Sequence, residues 1–272
     1  MSDYIIVGGG SAGCILAARL SEDPDVSVTL LEAGPPDTDR YIHLPVGFFK
    51  MTAGPLIWGY DTAPGRAIDG RIMVYPQARV LGGGSSINAQ VFTRGCPQDY
   101  DGWAADDGCT GWSYAEVLPY FIRSEGNDTF AGREHGVDGP LGVSSGAPHP
   151  LTRVFVKAAQ QAGLPFRADF NAGEQEGTGF YQTTTRRGKR SSTAVAYLKP
   201  ALGRKNLTVR TDATVSRIVV ENGRAIGVEV IAKGRTELLR AEGEVIVTAG
   251  AIGSPKLLML SGIGPAGHLG AH

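Results

Sequence analysis

The chain has 272 residues, of which 42% are hydrophobic and 19% charged, the composition of an ordinary globular protein. A net charge of −1 gives no broad electrostatic attraction to nucleic acid or to an anionic membrane surface. The three cysteines form no Cys-x-x-Cys pair, which indicates a reducing compartment, and the histidines show no metal-binding spacing. No apolar run approaches the roughly 20 residues that span a bilayer. We therefore expect a cytoplasmic protein, with peripheral contact at the inner membrane as the second arrangement.

The first 34 residues have the pattern of a βαβ unit. A buried-strand pattern at 3–7 runs into the glycine-rich segment 8–13, and a helix then leads to a second strand at 26–31, which ends in Glu32. A G-x-G-x-x-G turn followed by an acid about 20 residues later is typical of dinucleotide-binding proteins. The motif alone leaves FAD and NAD both open.

Each position of this motif has a mechanical reason. Gly8 permits a tight turn, Gly10 lets the backbone approach a diphosphate, and Gly13 lets the helix pack close to the strand. The helix N-terminus offers free N–H groups to the phosphates. Glu32 can accept hydrogen bonds from both ribose hydroxyls, and its charge would repel a 2′-phosphate, which argues against NADP.

The middle of the chain alternates between irregular and helical patterns. Residues 35–75 are rich in proline, glycine and aromatic side chains and predict a long irregular excursion, and 76–95 contain a second glycine-rich loop. Helices are predicted at 97–106, 113–124, 150–162 and 191–202, with 163–188 as a loop. In the second helix, Ser113 and Glu116 form a capping box, and Pro119 predicts either a kink or a short first turn.

From residue 207 the pattern changes to strands. Four strands at 207–210, 213–220, 225–231 and 236–240, separated by Asn-Gly and Lys-Gly turns, predict a small antiparallel meander. A buried strand at 244–248 then feeds a helix beginning near Ser254. We expect this strand to return to the sheet that residue 3 opens, as in two-dinucleotide-fold flavoproteins.

Four segments together carry a resemblance to a known family. They are the motif at 8–13 with Glu32, Leu81-Gly-Gly-Gly-Ser-Ser-Ile-Asn-Ala89, Arg190-Ser-Ser-Thr-Ala-Val-Ala-Tyr-Leu198 and Gly250-Ala-Ile-Gly-Ser-Pro-Lys-Leu-Leu-Met-Leu-Ser-Gly-Ile-Gly-Pro265. In this order and spacing, the chain strongly resembles the glucose–methanol–choline (GMC) flavoprotein oxidoreductases. The nearest likeness is to bacterial choline and aliphatic alcohol dehydrogenases.

The resemblance implies an α/β fold: a Rossmann-like FAD-binding domain of the two-dinucleotide type, with an inserted antiparallel meander and part of a substrate domain. The FAD-binding domain would comprise 1–150 and 188–272, and about 151–187 would begin the substrate-binding domain. Family members are longer, and their second half carries a catalytic histidine paired with a second histidine or an asparagine. The catalytic residues are therefore expected beyond residue 272.

The implied activity is FAD-dependent oxidation of an alcohol to an aldehyde by hydride transfer to flavin N5. Oxygen or a quinone-like acceptor would take the electrons, and the C-terminal half of the same enzyme would be a companion polypeptide. The first alternative is a truncated FAD-binding module without turnover. The second is an NAD-dependent dehydrogenase, which would be colourless.

The motif and the resemblance together predict the residues that bind the cofactor. They are Gly8, Gly10, Ser11, Ala12, Gly13, Glu32, Ala33, Trp58, Val80, Gly82, Gly83, Ser85, Asn88, Ala89, Val91, Val215, Ala249 and Gly250. By the resemblance, Val80, Gly83, Asn88 and Val91 line the flavin, and the backbone of Val215 meets the adenine edge. Some relatives carry a histidine joined covalently to the flavin where this chain has Ile87, so FAD is expected to be non-covalent.

Simpler alternatives exist for some of these residues. Trp58 could be a buried core aromatic, and Val91 and Val215 could be strand core. The glycines at 82–84 could form a plain tight turn.

Overall fold

The computed structural model describes residues 1–271. His272, one of the histidines that show no metal-binding spacing, lies outside the described residues. The chain forms two compact units, unit 1 (residues 1–88 and 192–271) and unit 2 (residues 89–191). The functional division into 1–150, 151–187 and 188–272 stays a prediction.

Strands and helices follow one another along both units of the chain. The strands are β1 (Ser2–Val7), β2 (Val28–Leu31), β3 (Tyr60–Asp61), β4 (Val74–Tyr75), β5 (Val91–Phe92), β6 (Glu125–Asn127), β7 (Leu141–Val143), β8 (Phe166–Arg167), β9 (Thr178–Gly179), β10 (Gln182–Thr183), β11 (Thr185–Arg186), β12 (Lys189–Arg190), β13 (Leu207–Arg210), β14 (Ala213–Glu221), β15 (Arg224–Ala232) and β16 (Arg235–Val247). The helices are α1 (Ser11–Leu20), α2 (Arg40–His43), α3 (Gly84–Ile87), α4 (Pro97–Ala105), α5 (Tyr114–Ser124), α6 (Pro150–Gln161), α7 (Lys199–Ala201), α8 (Gly250–Leu260) and α9 (Ala266–Leu269). Two 3₁₀ turns at Pro45–Lys50 and Arg66–Ile68 and a π-helical turn at Ala194–Leu198 complete the set.

A six-stranded sheet in the order β13-β2-β1-β16-β15-β14 forms the centre of unit 1. Strands β13, β2, β1 and the second half of β16 are parallel, and β16, β15 and β14 form an antiparallel meander. Ile5 lies between Thr29 on β2 and Val245 on β16. The predicted α/β fold, with a βαβ start and a returning strand beside it, is thus confirmed.

One strand, β16, stands where the sequence predicted two. Its first half pairs antiparallel with β15, and its second half, from Ala241, pairs parallel with β1. The backbone stays extended while its partner changes, and an irregular register between Ser2 and Tyr4 on β1 accommodates the exchange. Gly243 fits at this point because a Cβ would lie 2.7 Å from the carbonyl oxygen of Asp3.

The prediction that residues 207–210 belong to the meander is wrong. This segment, β13, pairs parallel with β2 at the opposite edge of the sheet. The side-chain amide of Asn206 donates to the carbonyl oxygens of Ser21, Asp23 and Val26, at 3.2, 2.7 and 2.8 Å. These bonds fasten the start of β13 to the loop that precedes β2, so a tertiary contact rather than local pattern decides its partner.

The hydrophobic core of unit 1 covers both faces of the sheet. On one face, Ile5 and Val7 pack with Val228, Val230 and Leu257, the last from α8. Side chains alternate along a strand, so the neighbouring buried residues of β1 and β2 point to the other face, where α1 also has a buried side. There, a Cβ at Gly13 would collide with the carbonyl oxygen of Gly8, which is the close helix–strand packing predicted for this glycine.

The excursion at 35–75 contains only short elements, as predicted. Three of its side chains, Ile42, Met51 and Leu56, form a second buried core cluster with Val80 from the second glycine-rich segment. The cluster holds the excursion against the start of the second glycine-rich loop.

Unit 2 contains the predicted helices α4, α5 and α6. Glu116 accepts a hydrogen bond from the backbone N–H of Ser113 at 3.1 Å, so the predicted capping box is present at the start of α5. Pro119 lies inside α5 without ending it. The segment 163–188, predicted as a loop, contains the two-residue strands β8 to β11.

A buried charge network lies in the middle of unit 2. Glu125 accepts a hydrogen bond from Arg94 at 2.7 Å through one oxygen and faces Nδ1 of His135 at 2.8 Å through the other. The second ring nitrogen of His135 lies 2.7 Å from Asp169. Removing one member of this network would leave its partner buried and uncompensated, which is strongly destabilising. Both ring nitrogens of His135 are thus held by acidic side chains inside this network.

No helix in the described part of the chain combines the length and apolarity needed to cross a bilayer.

Candidate cofactor-binding site

A cavity of about 760 Å³ opens in unit 1 at the carboxyl ends of three parallel strands. Strands β1, β2 and β16 end at Val7, Leu31 and Val247, and each end lines the cavity. In doubly wound sheets the ligand binds at this edge, and the volume is in the range of small-molecule sites. The lining residues are Val7, Gly8, Gly10, Ser11, Ala12, Leu31, Glu32, Ala33, Trp58, Tyr60, Gln77, Ala78, Gly83, Gly84, Ala213, Thr214, Val215, Ser216, Val247, Thr248, Ala249, Gly250, Ile252, Gly253, Ser254, Lys256, Leu257 and Leu260.

The N-terminus of α1 points into this cavity. Gly10 is the N-cap residue, it supplies no side-chain hydrogen bond, and the first turn contains no acidic residue. The first N–H groups of a helix have no partner within the helix, and they carry a partial positive charge. Ser11 and Ala12, which begin α1, line the cavity. This end of the helix is therefore suited to bind an anion such as a diphosphate.

Backbone without side chains forms the adjoining wall. Gly8 has φ +104°, and a Cβ there would lie 2.6 Å from the carbonyl oxygen of Thr248. Gly83 has φ +53°, and a Cβ there would lie 2.6 Å from Cα of Gly10. The two glycine-rich loops also bond directly, because the N–H of Gly82 donates to the carbonyl oxygen of Gly9 at 2.7 Å. The loops thus contact each other only because these positions lack side chains.

Glu32 is the buried acid of the site. Its two carboxylate oxygens accept hydrogen bonds from the backbone N–H groups of Gly9 and Gly34, both at 2.8 Å. Burial raises the pKa of Glu32, while these two hydrogen bonds and the charge of Arg79 act in the opposite direction. Each oxygen keeps a further lone pair that can accept a ribose hydroxyl. Uncapped N–H groups, bare glycine backbone and an anchored acid together fit an adenine dinucleotide such as FAD.

Eleven of the predicted residues line the cavity. They are Gly8, Gly10, Ser11, Ala12, Glu32, Ala33, Trp58, Gly83, Val215, Ala249 and Gly250. Trp58 is half-buried rather than a core residue, and Val215 packs against the core cluster while it also lines the cavity. Their contact with a cofactor stays a prediction.

The other predicted residues of unit 1 support the loops. Gly13 serves helix packing, and Val80 is fully buried in the second core cluster. The Ser85 hydroxyl donates to the carbonyl oxygen of Gly82 at 2.6 Å, and the backbone N–H of Asn88 ends α3 by donating to Gly84. Serine and asparagine in glycine-rich loops often serve such turns, which the sequence alone could not separate from ligand contacts.

Two predicted residues, Ala89 and Val91, belong to unit 2. Val91 is 49% exposed in the two-residue strand β5, so it is not part of a strand core. Its contact with the flavin stays a prediction.

Sequence reasoning missed several lining residues, and the largest group of them lies on α8. Ile252, Gly253, Lys256, Leu257 and Leu260 recur at helical spacing and line the cavity along one face of α8. That spacing was visible in the sequence, although a helix with apolar residues on several sides does not show which face meets a ligand. Glu32 and Lys256 are the two lining residues with charged side chains.

Comparison with known proteins places this arrangement in a family. Residues 2–272 match the family model described as GMC oxidoreductase. The chain belongs to the GMC oxidoreductase family. The GMC chain is 46% identical over 275 residues to mitochondrial choline dehydrogenase of Homo sapiens, an alignment that covers 98% of this chain and 46% of the relative.

Solved structures agree with this assignment. The fold matches pyridoxine 4-oxidase from Mesorbium loti with a TM-score of 0.95 at 38% identity, over 100% of this GMC chain and 54% of the other. It matches an FAD-dependent oxidoreductase from Chaetomium thermophilum with a TM-score of 0.93 at 34% identity, over 100% and 49%. The predicted family, fold and cofactor class are confirmed. The chain spans about half the length of the curated relatives it matches.

Proposed function

We propose that this chain is the FAD-binding half of an enzyme that oxidises an alcohol to an aldehyde. The observation that carries the proposal is the convergence of the α1 N-terminus, Gly83 and Glu32 on one cavity. When bound, the flavin supplies the hydride acceptor for the carbon that carries the substrate hydroxyl.

The chain binds and orients the nucleotide portion. The backbone N–H groups of Ser11 and Ala12 would donate hydrogen bonds to the diphosphate, and the carboxylate of Glu32 would accept hydrogen bonds from the ribose hydroxyls. The backbone of Val215 meets the adenine edge, and Ala249 and Gly250 pass beside the adenosine. Because these contacts are mostly made by backbone, they tolerate changes of neighbouring side chains but not of the glycines.

The cofactor is held without a covalent bond. Ile87 stands at the position from which some relatives bind the flavin covalently, and its side chain carries no nucleophilic atom. It packs against the buried cluster that contains Val80 and Ile42. The flavin should therefore be released intact when the protein unfolds.

We also propose a companion polypeptide, the C-terminal half of the same enzyme, which supplies the catalytic base and most of the alcohol pocket. Helix α6 supports this proposal, because Leu151, Val154 and Phe155 are 71, 63 and 71% exposed. Spaced at i, i+3 and i+4, these side chains form an apolar stripe of the kind that packs against another element. The chain also covers only about half of its relatives' length.

Residues of the companion polypeptide would determine which alcohol is oxidised and whether oxygen or a quinone-like molecule is the final electron acceptor. A cytoplasmic location, with peripheral contact at the inner membrane as the second arrangement, stays a prediction.

The test is a flavin spectrum followed by an alcohol challenge. The purified chain, mixed with FAD and desalted, should retain flavin absorbance, and trichloroacetic acid should release the flavin into the supernatant. Choline or another primary alcohol should not bleach this flavin until the companion polypeptide is added. Bleaching by the chain alone would contradict the placement of the base, and no bleaching with the companion present would favour the turnover-free module. A colourless chain that retains NAD instead would overturn the proposal.

A further inference from the structure

Thr248, which directly follows β16, is hydrogen-bonded to the first glycine-rich turn. Its backbone N–H donates to the carbonyl oxygen of Val7 at 2.8 Å. Its hydroxyl oxygen lies 2.8 Å from the carbonyl oxygen of Gly8 and 3.1 Å from that of Val7. The hydroxyl has a single proton, and the Val7 oxygen already accepts the N–H, so we assign this proton to the nearer oxygen, that of Gly8. Thr248 also lines the cofactor cavity, and the sequence analysis did not select it.

The peptide that joins Gly8 to Gly9 connects Thr248 to Glu32. Its carbonyl oxygen accepts the hydroxyl proton of Thr248. Its N–H, which belongs to Gly9, donates to Oε2 of Glu32 at 2.8 Å. A peptide group is planar and trans, so its C=O and its N–H point in opposite directions. A bond that fixes the direction of the carbonyl therefore also fixes the direction of the N–H.

We propose that Thr248 is a positioning residue for the dinucleotide, because its hydroxyl holds the peptide between Gly8 and Gly9 in the orientation that anchors Glu32. The inference rests on the proposed function, in which the carboxylate of Glu32 accepts hydrogen bonds from the ribose. Thr248 acts through this peptide and is assigned no contact with the cofactor. The sheet order explains the geometry: β1, which leads into the turn, lies between β2, which ends before Glu32, and β16, which ends before Thr248.

This peptide needs a partner because glycine does not favour one backbone orientation. Gly8 has φ +104°, and glycine adopts positive and negative φ about as readily, so a peptide between two glycines can turn over at little cost. A turned-over peptide would direct its carbonyl oxygen, which carries a partial negative charge, at the carboxylate of Glu32. The hydrogen bond from Gly9 would then be replaced by repulsion.

Packing encloses the carbonyl of Gly8 between Thr248 and α1. A Cβ on Gly13 would collide with this carbonyl oxygen and would lie 2.9 Å from the hydroxyl oxygen of Thr248. A Cβ on Gly8 would lie 2.6 Å from the carbonyl oxygen of Thr248. Without the hydroxyl, the carbonyl would be packed against α1 without the proton donor that the structure gives it. That loss favours the turned-over peptide.

Glu32 depends on this peptide for one of its two backbone hydrogen bonds. The other comes from the N–H of Gly34 at 2.8 Å. Burial raises the pKa of Glu32, and the hydrogen bonds from Gly34 and Gly9 lower it. Loss of the Gly9 bond should therefore raise the pKa of Glu32 further, a change that can be measured without cofactor. The nearby charges of Arg79 and Asp212 stay the same when position 248 is changed.

The test compares Thr248→Ala with Thr248→Ser, because these two variants differ only in the hydroxyl group. The dissociation constant of FAD, measured by quenching of protein fluorescence, should rise about three- to tenfold in Thr248→Ala, as expected for one lost hydrogen bond. Thr248→Ser should stay within about twofold of the unaltered chain. The pKa of Glu32, measured by NMR on the cofactor-free chain with isotope-labelled glutamate, should be higher in Thr248→Ala than in Thr248→Ser. Glu32→Gln identifies the resonance.

Thr29→Ala is the matched control. Thr29 is a buried threonine of β2 whose hydroxyl is hydrogen-bonded to that of Ser2 at 2.8 Å, and it does not line the cavity. Its substitution removes a threonine hydroxyl from the same sheet without touching the glycine-rich turn. It should lower the free energy of unfolding, but it should leave the affinity for FAD and the pKa of Glu32 as they are in the unaltered chain.

The outcomes separate this inference from the proposed function. If the unaltered chain binds no FAD, the proposed function fails, and the role of Thr248 in cofactor binding fails with it. If the unaltered chain binds FAD but Thr248→Ala and Thr248→Ser match in affinity and in the pKa of Glu32, the inference is overturned while the proposed function stands. If only one of these two quantities differs between the variants, or if Thr29→Ala weakens FAD binding equally, Thr248 does not act through Glu32 and the inference is overturned as well.

Discussion

The contact between the two glycine-rich loops can be tested with a pair of neighbouring alanine substitutions. Gly83 has φ +53°, and a Cβ there would lie 2.6 Å from Cα of Gly10, so a methyl group meets backbone that cannot swing aside. Gly84, one position later, begins α3, and a Cβ there would meet open space. The two variants add the same atoms to the same loop and differ in the backbone conformation at the substituted position and in what those atoms meet.

The expected magnitude follows from two costs. Gly83 has φ +53° and ψ −136°, a backbone conformation that is essentially restricted to glycine, and holding an alanine there costs about 1–3 kcal/mol. Forcing an extra methyl group against packed backbone costs about 1–3 kcal/mol more. Gly83→Ala should therefore lower the free energy of unfolding by about 2–6 kcal/mol, a large part of the roughly 5–15 kcal/mol typical of folded proteins. Gly84→Ala should stay within about 0.5 kcal/mol of the unaltered chain.

The assay is urea unfolding of the cofactor-free chain, followed by circular dichroism, with the two variants measured side by side. The reasoning would be refuted if Gly83→Ala were as stable as the unaltered chain. It would be refuted equally if Gly84→Ala were destabilised to the same extent, because the loss would then reflect the loss of any glycine.

Three further predictions follow from buried groups. Burial raises the pKa of Glu32 above 4.5, so the folded cofactor-free chain keeps a proton that the unfolded chain releases. The free energy of unfolding should therefore fall as pH rises from about 4.5 through the pKa of the folded state. Glu32→Gln should flatten this part of the pH–stability curve, and identical curves for the two proteins would contradict the raised pKa of Glu32. Burial raises the pKa of Cys14 to about 12, so iodoacetamide at pH 8 should label exposed Cys109 in the native chain and leave Cys14 unlabelled by mass spectrometry until urea is added. Arg94→Met breaks the buried network of unit 2 and should lower the free energy of unfolding in urea by about 3–5 kcal/mol. Arg217→Met breaks an exposed ion pair and should leave the urea midpoint unchanged. Equal losses of stability in the two variants would show that burial does not decide the cost of breaking an ion pair.

The parts of the fold set by local chemistry were predictable from sequence. The βαβ unit could be predicted from the sequence because its strand, glycine turn, helix and acid lie within 34 residues. The start of α5 could be predicted because Ser113 and Glu116, which form its capping box, are only three residues apart. The helix α6 was predicted within one residue of its observed end.

The parts set by distant contacts were not predictable. Strand β13 joins the parallel sheet because Asn206 binds carbonyl groups about 180 residues earlier in the chain. Strand β16 is continuous because it exchanges β15 for β1 without leaving the extended conformation. No local sequence pattern indicates the pairing of β13 with β2 or the continuity of β16.

The residues of the candidate site fall into the same two groups, those predictable from local sequence and those set by distant contacts. Glu32 and the glycines could be predicted because a motif with fixed spacing requires them. Tyr60 and Lys256 could not, because they meet across about 200 residues of chain and each resembles an ordinary surface residue by itself. Helix α8 showed the relevant spacing, but only the structure shows which of its faces meets the cavity.

A crystal structure of the chain grown with FAD tests the central claim most directly. Density for the dinucleotide should fill the cavity, with the diphosphate at the N–H groups of Ser11 and Ala12 and the ribose hydroxyls against Glu32. A cavity that stays empty at saturating FAD, or density for FAD at any other surface of the chain, would contradict the account.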